Sequence, residues 1–418
     1  MLSKVFERLV SVRLNKFFEQ TGVFPPNQFA FRKGLGACDA LLCLSNVLQT
    51  VLERGHEARI VQLDFSAAFD RVNHLGIMYK LSSVGVGGPV LSVLSQFLSN
   101  RSQVVTGVAS RCVDVISGVP QGSVLGPLLY LLYTADLFSI LENDLIGYAD
   151  DSTLVATIPS PNDRIRVAQS LTRDLIKIGD WCDRWGMKLN AGKTKTMTVS
   201  RSRTIQPLSP PLSLGGVELK NQSELVILGV TWDSKLLFEK HVRSISKSAF
   251  RKLGIMRRSW QFFRDWGVLR RCFSCFILPV LEYCSAVWCS AADCHLRLLD
   301  RVVSNANFLV GGTLRYDLGH RRSVAALCML YKIWDNSNHP LNAVLPPVTQ
   351  PARFTRGTRA QHRYAFGHIR CRTEQFRRSF LPWTVFLWNG LPSSVFNDAG
   401  LSGFKSRVNK FLLTGVAQ

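Results

Sequence analysis

The sequence predicts an α+β protein: a first half built around a small antiparallel sheet, then an all-helical second half. Three observations carry this. Ile146-Gly-Tyr-Ala-Asp-Asp-Ser-Thr-Leu-Val155 sets two adjacent carboxylates between short apolar runs, the pattern of a β-hairpin with the acidic pair as its turn. From residue 235 onward the apolar spacing is helical. Charge segregates in the same way: residues 1–200 carry 20 Lys+Arg against 17 Asp+Glu, and residues 201–418 carry 31 against 12. The 418-residue length suits two or three domains, and an apolar fraction of 46% excludes wholesale disorder. A net charge of +22 with a pI of about 9.9 points to a polyanionic partner.

Residues 1–20 put Val5, Leu9, Val12 and Phe17 on one face of an amphipathic helix, and Gly22 and Pro25-Pro26 turn the chain out of it. Gln28-Phe-Ala-Phe-Arg-Lys-Gly34 is a basic loop before a helix at about 38–53. Its Arg32 and Lys33 either meet a phosphate chain or stay solvated. Residues 58–65 form a strand ending in Asp64, a common site position at a strand-to-helix turn. Asp70 reads as a cap of the helix that runs to about residue 84, and His74 as a structural hydrogen-bonder. A helix (about 90–100) and two short strands (about 103–108 and 112–117) follow. Gly118-Val-Pro-Gln-Gly-Ser-Val-Leu-Gly-Pro127 is a glycine-rich loop able to approach a flat ligand, with Gln121 offering donor and acceptor, before an apolar helix.

After the acidic hairpin, a helix spans about 164–185 and stops at Gly186. Lys188-Leu-Asn-Ala-Gly-Lys-Thr-Lys195 leads into a strand at 196–200. Residues 201–213 read as a surface loop, and Leu214–Leu219 pairs as a hairpin with the run 225–233. Helices are expected at about 238–258, 263–290, 294–309 and 320–337. The first carries Lys240, Arg243, Lys247, Arg251, Lys252, Arg257 and Arg258, a basic stripe suited to nucleic-acid backbone. Residues 345–372 are Arg- and Pro-rich (Arg353, Arg356, Arg359, Arg363, Arg370, Arg372) and order on RNA if at all. The aromatics at 376–396 read as core packing, with base stacking as the alternative. No repeat or low-complexity tract is evident.

The 11 cysteines form no framework. Cys272, Cys275, Cys284, Cys289 and Cys294 with His295 read either as a zinc set or as reduced core thiols. No signal peptide is evident, and no run reaches the roughly 18 apolar residues of a membrane span. Side by side in one sheet, Asp64 and the Asp150-Asp151 pair bring three carboxylates together. That suits hard cations such as Mg²⁺ in a two-metal site and, with a polyanionic partner, nucleotidyl transfer on nucleic acid.

The ordered set Gln28-Phe-Ala-Phe-Arg-Lys-Gly, Leu63-Asp-Phe-Ser-Ala-Ala-Phe-Asp-Arg-Val-Asn-His74, Gly118-Val-Pro-Gln-Gly-Ser, Tyr148-Ala-Asp-Asp151, Trp185-Gly-Met-Lys-Leu-Asn-Ala-Gly-Lys-Thr-Lys195 and Leu228-Gly-Val-Thr-Trp-Asp233 resembles the reverse transcriptases of non-LTR retrotransposons, in particular the jockey-like and CR1-like elements. Leu281-Glu-Tyr-Cys-Ser-Ala-Val-Trp288, His320-Arg-Arg322 and the segment 378–392 resemble that group's C-terminal region, so the likeness covers nearly the whole chain.

The resemblance implies a right-hand polymerase: partial fingers (1–57), a palm with the catalytic hairpin (58–234, with fingers elements at about 85–117), a helical thumb and C-terminal helical region (235–340), and a basic, partly ordered C-terminal segment (341–418). It implies RNA-directed DNA synthesis, with two Mg²⁺ ions (Mn²⁺ as substitute) held by Asp64, Asp150, Asp151 and the Phe65 carbonyl, Asp151 lying nearer the site's edge. Arg32 would contact the triphosphate, and Phe69 would exclude a 2′-hydroxyl. Gln121 and Gly122 would lie by the nascent base pair, Lys193 or Lys195 would assist pyrophosphate departure, and Leu228 and Gly229 would grip the primer. RNA template, DNA primer and dNTPs are the implied partners, in the nucleus or cytoplasm and with no membrane. A separate endonuclease activity or the element's RNA in a ribonucleoprotein would join them. Measured against the group, the chain reads as N-terminally truncated, without its upstream fingers, endonuclease or a zinc knuckle. The competing expectations are an inactive or domesticated RNA-binding protein and a group II intron maturase.

Overall fold

The computed structural model describes residues 2–104, 111–203, 210–263, 265–309, 312, 317–348, 362–397 and 400–414. Two compact units divide the chain: Met1–Ala40 with His56–Leu228, and Leu41–Gly55 with Gly229–Gln418. Residues 41–55, expected with an N-terminal piece, thus pack with the second.

In the first unit α1 (Leu2–Gln20) leads toward α2 (Ala37–Glu53), whose larger part belongs to the second unit. Then come β1 (Glu57–Leu63), α3 (His74–Ser83), α4 (Gly88–Leu98), β2 (Ser102–Gln103), β3 (Val113–Asp114) and α5 (Leu125–Thr134). Next are β4 (Asp144–Tyr148), β5 (Asp151–Ile158), α6 (Arg164–Trp185), β6 (Lys195–Val199), β7 (Ser213–Leu214), β8 (Val217–Glu218) and β9 (Glu224–Ile227). The main sheet is antiparallel in the order β4-β5-β1-β6. Its central strand is nearly continuously buried, as a strand paired on both sides requires. Leu63, Leu154 and Ala156 share a core with Leu125–Tyr133 of α5 and with Leu171, Leu175 and Ile178 of α6.

Several elements depart from their sequence pattern for identifiable reasons. The stripe Val5, Leu9 and Val12 of α1 is exposed, and Glu7, Ser11, Leu14 and Phe18 face inward. Glu7 decides this: its carboxylate accepts from the Val124 and Leu125 N–H groups (2.7 and 3.3 Å), capping α5, which has no side-chain cap of its own. Leu214–Leu219 closes on itself as the β7–β8 hairpin. The strands expected at 103–108 and 112–117 appear as the two-residue pair β2–β3, with residues 105–110 outside the description. Residues 204–209 of the expected surface loop also lie outside it.

The second unit begins with β10 (Val230–Asp233) and continues through α7 (Glu239–Phe263), α8 (Trp266–Cys272), α9 (Leu278–Glu282), α10 (Asp293–Leu309), α11 (Leu318–Asp335), α12 (Glu374–Arg377), α13 (Phe380–Asn389) and α14 (Gly400–Thr414). The helix expected over 263–290 is split by a π turn, Phe273–Ile277, and ends at Glu282. Pro279 has no N–H to donate four residues back, which disrupts the ladder there. The aromatics of 376–396 pack as core: Trp388 is fully buried against Tyr331, Trp334, Phe396 and Phe404. Arg353, Arg356 and Arg359 lie outside the described residues.

The cysteine cluster is not a uniform core, and among the described residues its thiols are not gathered into a group that could hold a metal. Cys289 is buried, with burial pushing its thiol up to about 12, whereas Cys275 and Cys294 are exposed. Cys38 and Cys284 are disulfide-bonded, so the expectation of reduced thiols fails for them. Among the described residues no helix is long and apolar enough to cross a membrane.

Candidate active site

Strand register places the carboxylates. Leu63 of β1 pairs with Ser152 of β5, and one step beyond them stand Asp64 and Asp151. Tyr148 pairs with Asp151, so the two-residue turn consists of Ala149 and Asp150. The acidic pair is therefore divided: Asp150 is on the turn, and Asp151 already belongs to β5. Continuing the register by one step sets Asp151 beside Asp64; Asp151 is exposed, whereas Asp64 and Asp150 are half-buried. Loss of water, then the charges of Asp150 and Asp64, hold the Asp151 carboxyl above its ordinary range. A bound cation would offset that repulsion.

Asp64 is tied down through its backbone. Its N–H donates to Thr194 Oγ1 (3.4 Å) and its carbonyl accepts from the Asn190 N–H (2.8 Å). The Ser66 N–H donates to the Lys188 carbonyl (2.8 Å), and the two interstrand bonds flank Phe65, which bridges Leu189. The segment carrying Lys193 and Lys195 thus hangs from the Asp64 strand end, with both lysines exposed.

The hairpin tip is held by Gln28. Its Oε1 accepts from the Ala149 N–H (3.1 Å), and its Nε2 donates to the Ala149 carbonyl (3.4 Å). Backbone bonds join the same loop to β4: Phe29 N–H to the Gly147 carbonyl, and Gly147 N–H to the Asn27 carbonyl, both 2.9 Å.

Beside the carboxylates, Phe69 stacks on buried Tyr130, with ring centres 4.2 Å apart and planes 19° from parallel. Phe31 meets Phe69 edge-on at 6.3 Å. The glycine-rich loop docks on this segment, the Gly118 N–H donating to Val72 O (2.8 Å) and the Val119 N–H to Phe69 O (2.9 Å). A Cβ on Gly118 would lie 2.9 Å from the Asp70 Cα, and its φ is +89°. The close approach that this glycine permits is to the chain itself, not to a ligand. Gln121 Nε2 donates to Asp70 Oδ1 (2.9 Å), so Asp70 orients Gln121, and α3 is capped by Asn73 Oδ1 receiving the Gly76 N–H (2.9 Å). His74 bonds the Gly118 carbonyl (2.8 Å), the structural role expected of it. Phe69, Val119, Pro120, Gln121, Gly122 and Pro127 line a cavity of about 240 Å³.

One expected contact looks different in three dimensions. The Arg32 guanidinium pairs in fork fashion with Glu19 (2.8 and 2.7 Å) and also donates to the Pro25 and Gln28 carbonyls. It braces the Gln28 loop rather than facing a substrate. Leu228 and Gly229 form the turn after β9, both at positive φ (45° and 80°), where the first compact unit ends. In the second unit Lys240, Arg243, Lys247, Arg251 and Arg258 share the exposed face of α7, Arg243 pairing with Glu239 (2.7 Å).

An all-carboxylate donor set fits a hard divalent cation. Among the described residues no group of three or more His, Cys, Asp and Glu side chains is gathered to hold a metal by itself. A cation here would complete its shell from water and phosphate oxygens, as Mg²⁺ commonly does. Sequence reasoning passed over Gln28, Tyr130 and the Asp70–Gln121 pair as functional parts. The signal for Gln28 was an amide in an apolar run after two prolines; Tyr130 lay hidden in a uniformly apolar helix.

The family profile described as reverse transcriptase (RNA-dependent DNA polymerase) matches residues 1–232. The chain is 29% identical over 333 residues to the probable RNA-directed DNA polymerase from transposon BS of Drosophila melanogaster, covering 75% of this chain and 36% of that protein. It is 31% identical over 310 residues to the RNA-directed DNA polymerase from mobile element jockey of Drosophila funebris, covering 71% and 33%. The chain spans about a third of the length of these curated relatives. Apo telomerase from Candida tropicalis superposes over 97% of this chain and 60% of its own, at 11% identity and a TM-score of 0.41.

Proposed function

The chain belongs to the reverse transcriptase (RNA-dependent DNA polymerase) family, and from that premise we propose that it copies RNA into DNA as the polymerase part of a jockey-like non-LTR retrotransposon protein. The observation that carries the reading is the convergence of Asp64, Asp150 and Asp151 at one end of the β4-β5-β1-β6 sheet. The reaction is attack of a primer 3′-oxygen on the α-phosphorus of a dNTP, breaking its bond to pyrophosphate.

Asp64, Asp150 and Asp151 would hold two Mg²⁺ ions, together with the Phe65 carbonyl. Such ions, when bound, lower the pKa of the attacking hydroxyl and offset charge on the leaving pyrophosphate. Phe69, stacked on Tyr130, would present its ring to the incoming sugar and exclude a 2′-hydroxyl. Gln121, oriented by Asp70, and Gly122 with its open positive-φ backbone (+78°) flank the cavity where the nascent pair would sit. Lys193 or Lys195 would neutralise pyrophosphate. The turn Leu228–Gly229 would meet the primer, and the basic face of α7 the nucleic-acid backbone. A role in copying RNA would put the protein in the nucleus or cytoplasm.

The test is incorporation of dNTPs on a primed RNA with and without Mg²⁺, comparing wild type with Asp150→Ala. Incorporation that requires both metal and Asp150 is expected. Equal incorporation by the two proteins sinks the mechanism, and salt-sensitive RNA binding without any incorporation favours a binding-only protein.

A further inference from the structure

Ala149 holds φ +58°, a left-handed conformation that a residue with a Cβ adopts only when its surroundings impose it. The next residue is Asp150, so the orientation of the Ala149 peptide determines where that carboxylate stands. The imposing group is identifiable. Gln28 is 1% exposed, and its one amide takes both polar groups of Ala149: Oε1 receives the N–H at 3.1 Å and Nε2 reaches the carbonyl at 3.4 Å. The same Oε1 receives the Ala30 N–H (3.2 Å), which fixes the amide's own orientation.

Residue 28 is held independently of its side chain. It forms a parallel bridge with Gly147, and Arg32 ties the Gln28 carbonyl (3.0 Å) to Glu19. The fit is close, since a Cβ on Gly147 would stand 2.9 Å from Gln28 Nε2. Without the amide, the Ala149 N–H and carbonyl would lose these partners beside three carboxylates, and the positive-φ peptide of this two-residue turn would be freer to reorient.

We propose that Gln28 is a positioning residue for the reaction: its side-chain amide locks the Ala149 peptide and thereby aims the Asp150 carboxylate at the metal-holding face shared with Asp64 and Asp151. This rests on the polymerase reading for its catalytic consequence, but not for its structural one. Gln28 touches neither substrate nor cation. It acts on the site from behind, through a single peptide.

The experiment compares wild type, Gln28→Met and Leu175→Ala. Methionine keeps the volume and removes both hydrogen-bonding functions, and Leu175 is a core residue of α6 that serves as a destabilised control. Two readouts are taken on the full chain: amide hydrogen exchange at Ala149 and Asp150, and dNTP incorporation on primed RNA as a function of Mg²⁺ concentration. Gln28→Met is expected to lose protection at Ala149 and to need several-fold more Mg²⁺ for half-maximal rate. Its maximal rate should drop roughly 10²-fold, the scale of an ångström-sized misplacement, while its Kd for primed RNA is unchanged. Leu175→Ala is expected to leave the Mg²⁺ requirement at the wild-type value. The inference is overturned if Gln28→Met retains wild-type exchange at Ala149, or if its Mg²⁺ dependence shifts no more than that of Leu175→Ala. If wild type itself incorporates nothing while Gln28→Met still loses protection at Ala149, the polymerase reading fails and the lock on the hairpin stands.

Discussion

Asp150 and Asp151 are neighbours in sequence with different surroundings. One lies on a turn whose preceding peptide is held from outside; the other opens a strand and lies within electrostatic reach of Asp64. Gly147 shows how little slack the arrangement has. A methyl there would meet Phe138 Cζ at 2.7 Å as well as the Gln28 amide. Gly147→Ala is therefore expected to lower stability by about 1–3 kcal/mol, the range for overpacking, and to lower incorporation with it; urea unfolding measures the first. Tyr130 offers a second test. Stacked beneath Phe69, it stiffens the ring proposed to reject ribonucleotides. Tyr130→Leu should reduce the dNTP-over-rNTP ratio of kcat/KM by about tenfold, the scale of one aromatic contact, with less effect on dNTP use itself. An unchanged ratio would remove Tyr130 from the specificity device.

At the scale of elements, long-range polar contacts decide what periodicity leaves open. Glu7 caps a helix 117 positions away in sequence, and α1 accordingly buries Glu7 and Ser11 on the same face as Leu14 and Phe18. Glu7→Ala should destabilise the first unit by about 1–3 kcal/mol, since it leaves the buried Leu125 N–H without this acceptor. In the second unit, His241 of α7 is buried, its Nδ1 receives the Thr231 N–H (3.2 Å), and its Nε2 has no hydrogen-bond partner among the described residues. Burial lowers its pKa from 6.5 to about 4. The unfolded ring takes up a proton more readily than the folded one, so the contribution to stability is complete above pH 6.5. It declines as pH falls toward about 4, by up to about 3 kcal/mol. His241→Phe should flatten that stretch of the stability–pH curve in thermal unfolding. A curve identical to wild type would show that the ring is not the titrating group.

The whole molecule concentrates positive charge in its second half, where 31 Lys+Arg face 12 Asp+Glu. Lys247 and Arg251 on the exposed face of α7 are expected to contact phosphate. Replacing both with Ala should reduce the slope of log K against log salt by about 1 per lost contact, whatever the RNA sequence. A parallel shift with the slope preserved would move the nucleic-acid track elsewhere. The same charge pattern was visible in the sequence, because net charge needs no fold to be counted.

Legibility followed the range of the interactions. Strand and helix identity for β1, β5, α2 and α6, the Gly186 stop, and the three carboxylates came from patterns spanning a few residues, where local propensity and spacing dominate. The ordered motifs carried the family, because their order survives without coordinates. The sequence by itself thus determined the α+β class, the basic second half and the candidacy of Asp64, Asp150, Asp151 and Phe69 for the site. The tertiary structure alone decided that Asp151 stands beside Asp64, that Arg32 pairs with Glu19, that Asp70 holds Gln121, that α1 buries Glu7 and Ser11 along with Leu14 and Phe18, and that Gln28 holds the Ala149–Asp150 turn. Each depends on a contact between residues distant in the chain, whose partner is selected by register, packing and the need to satisfy buried polar groups.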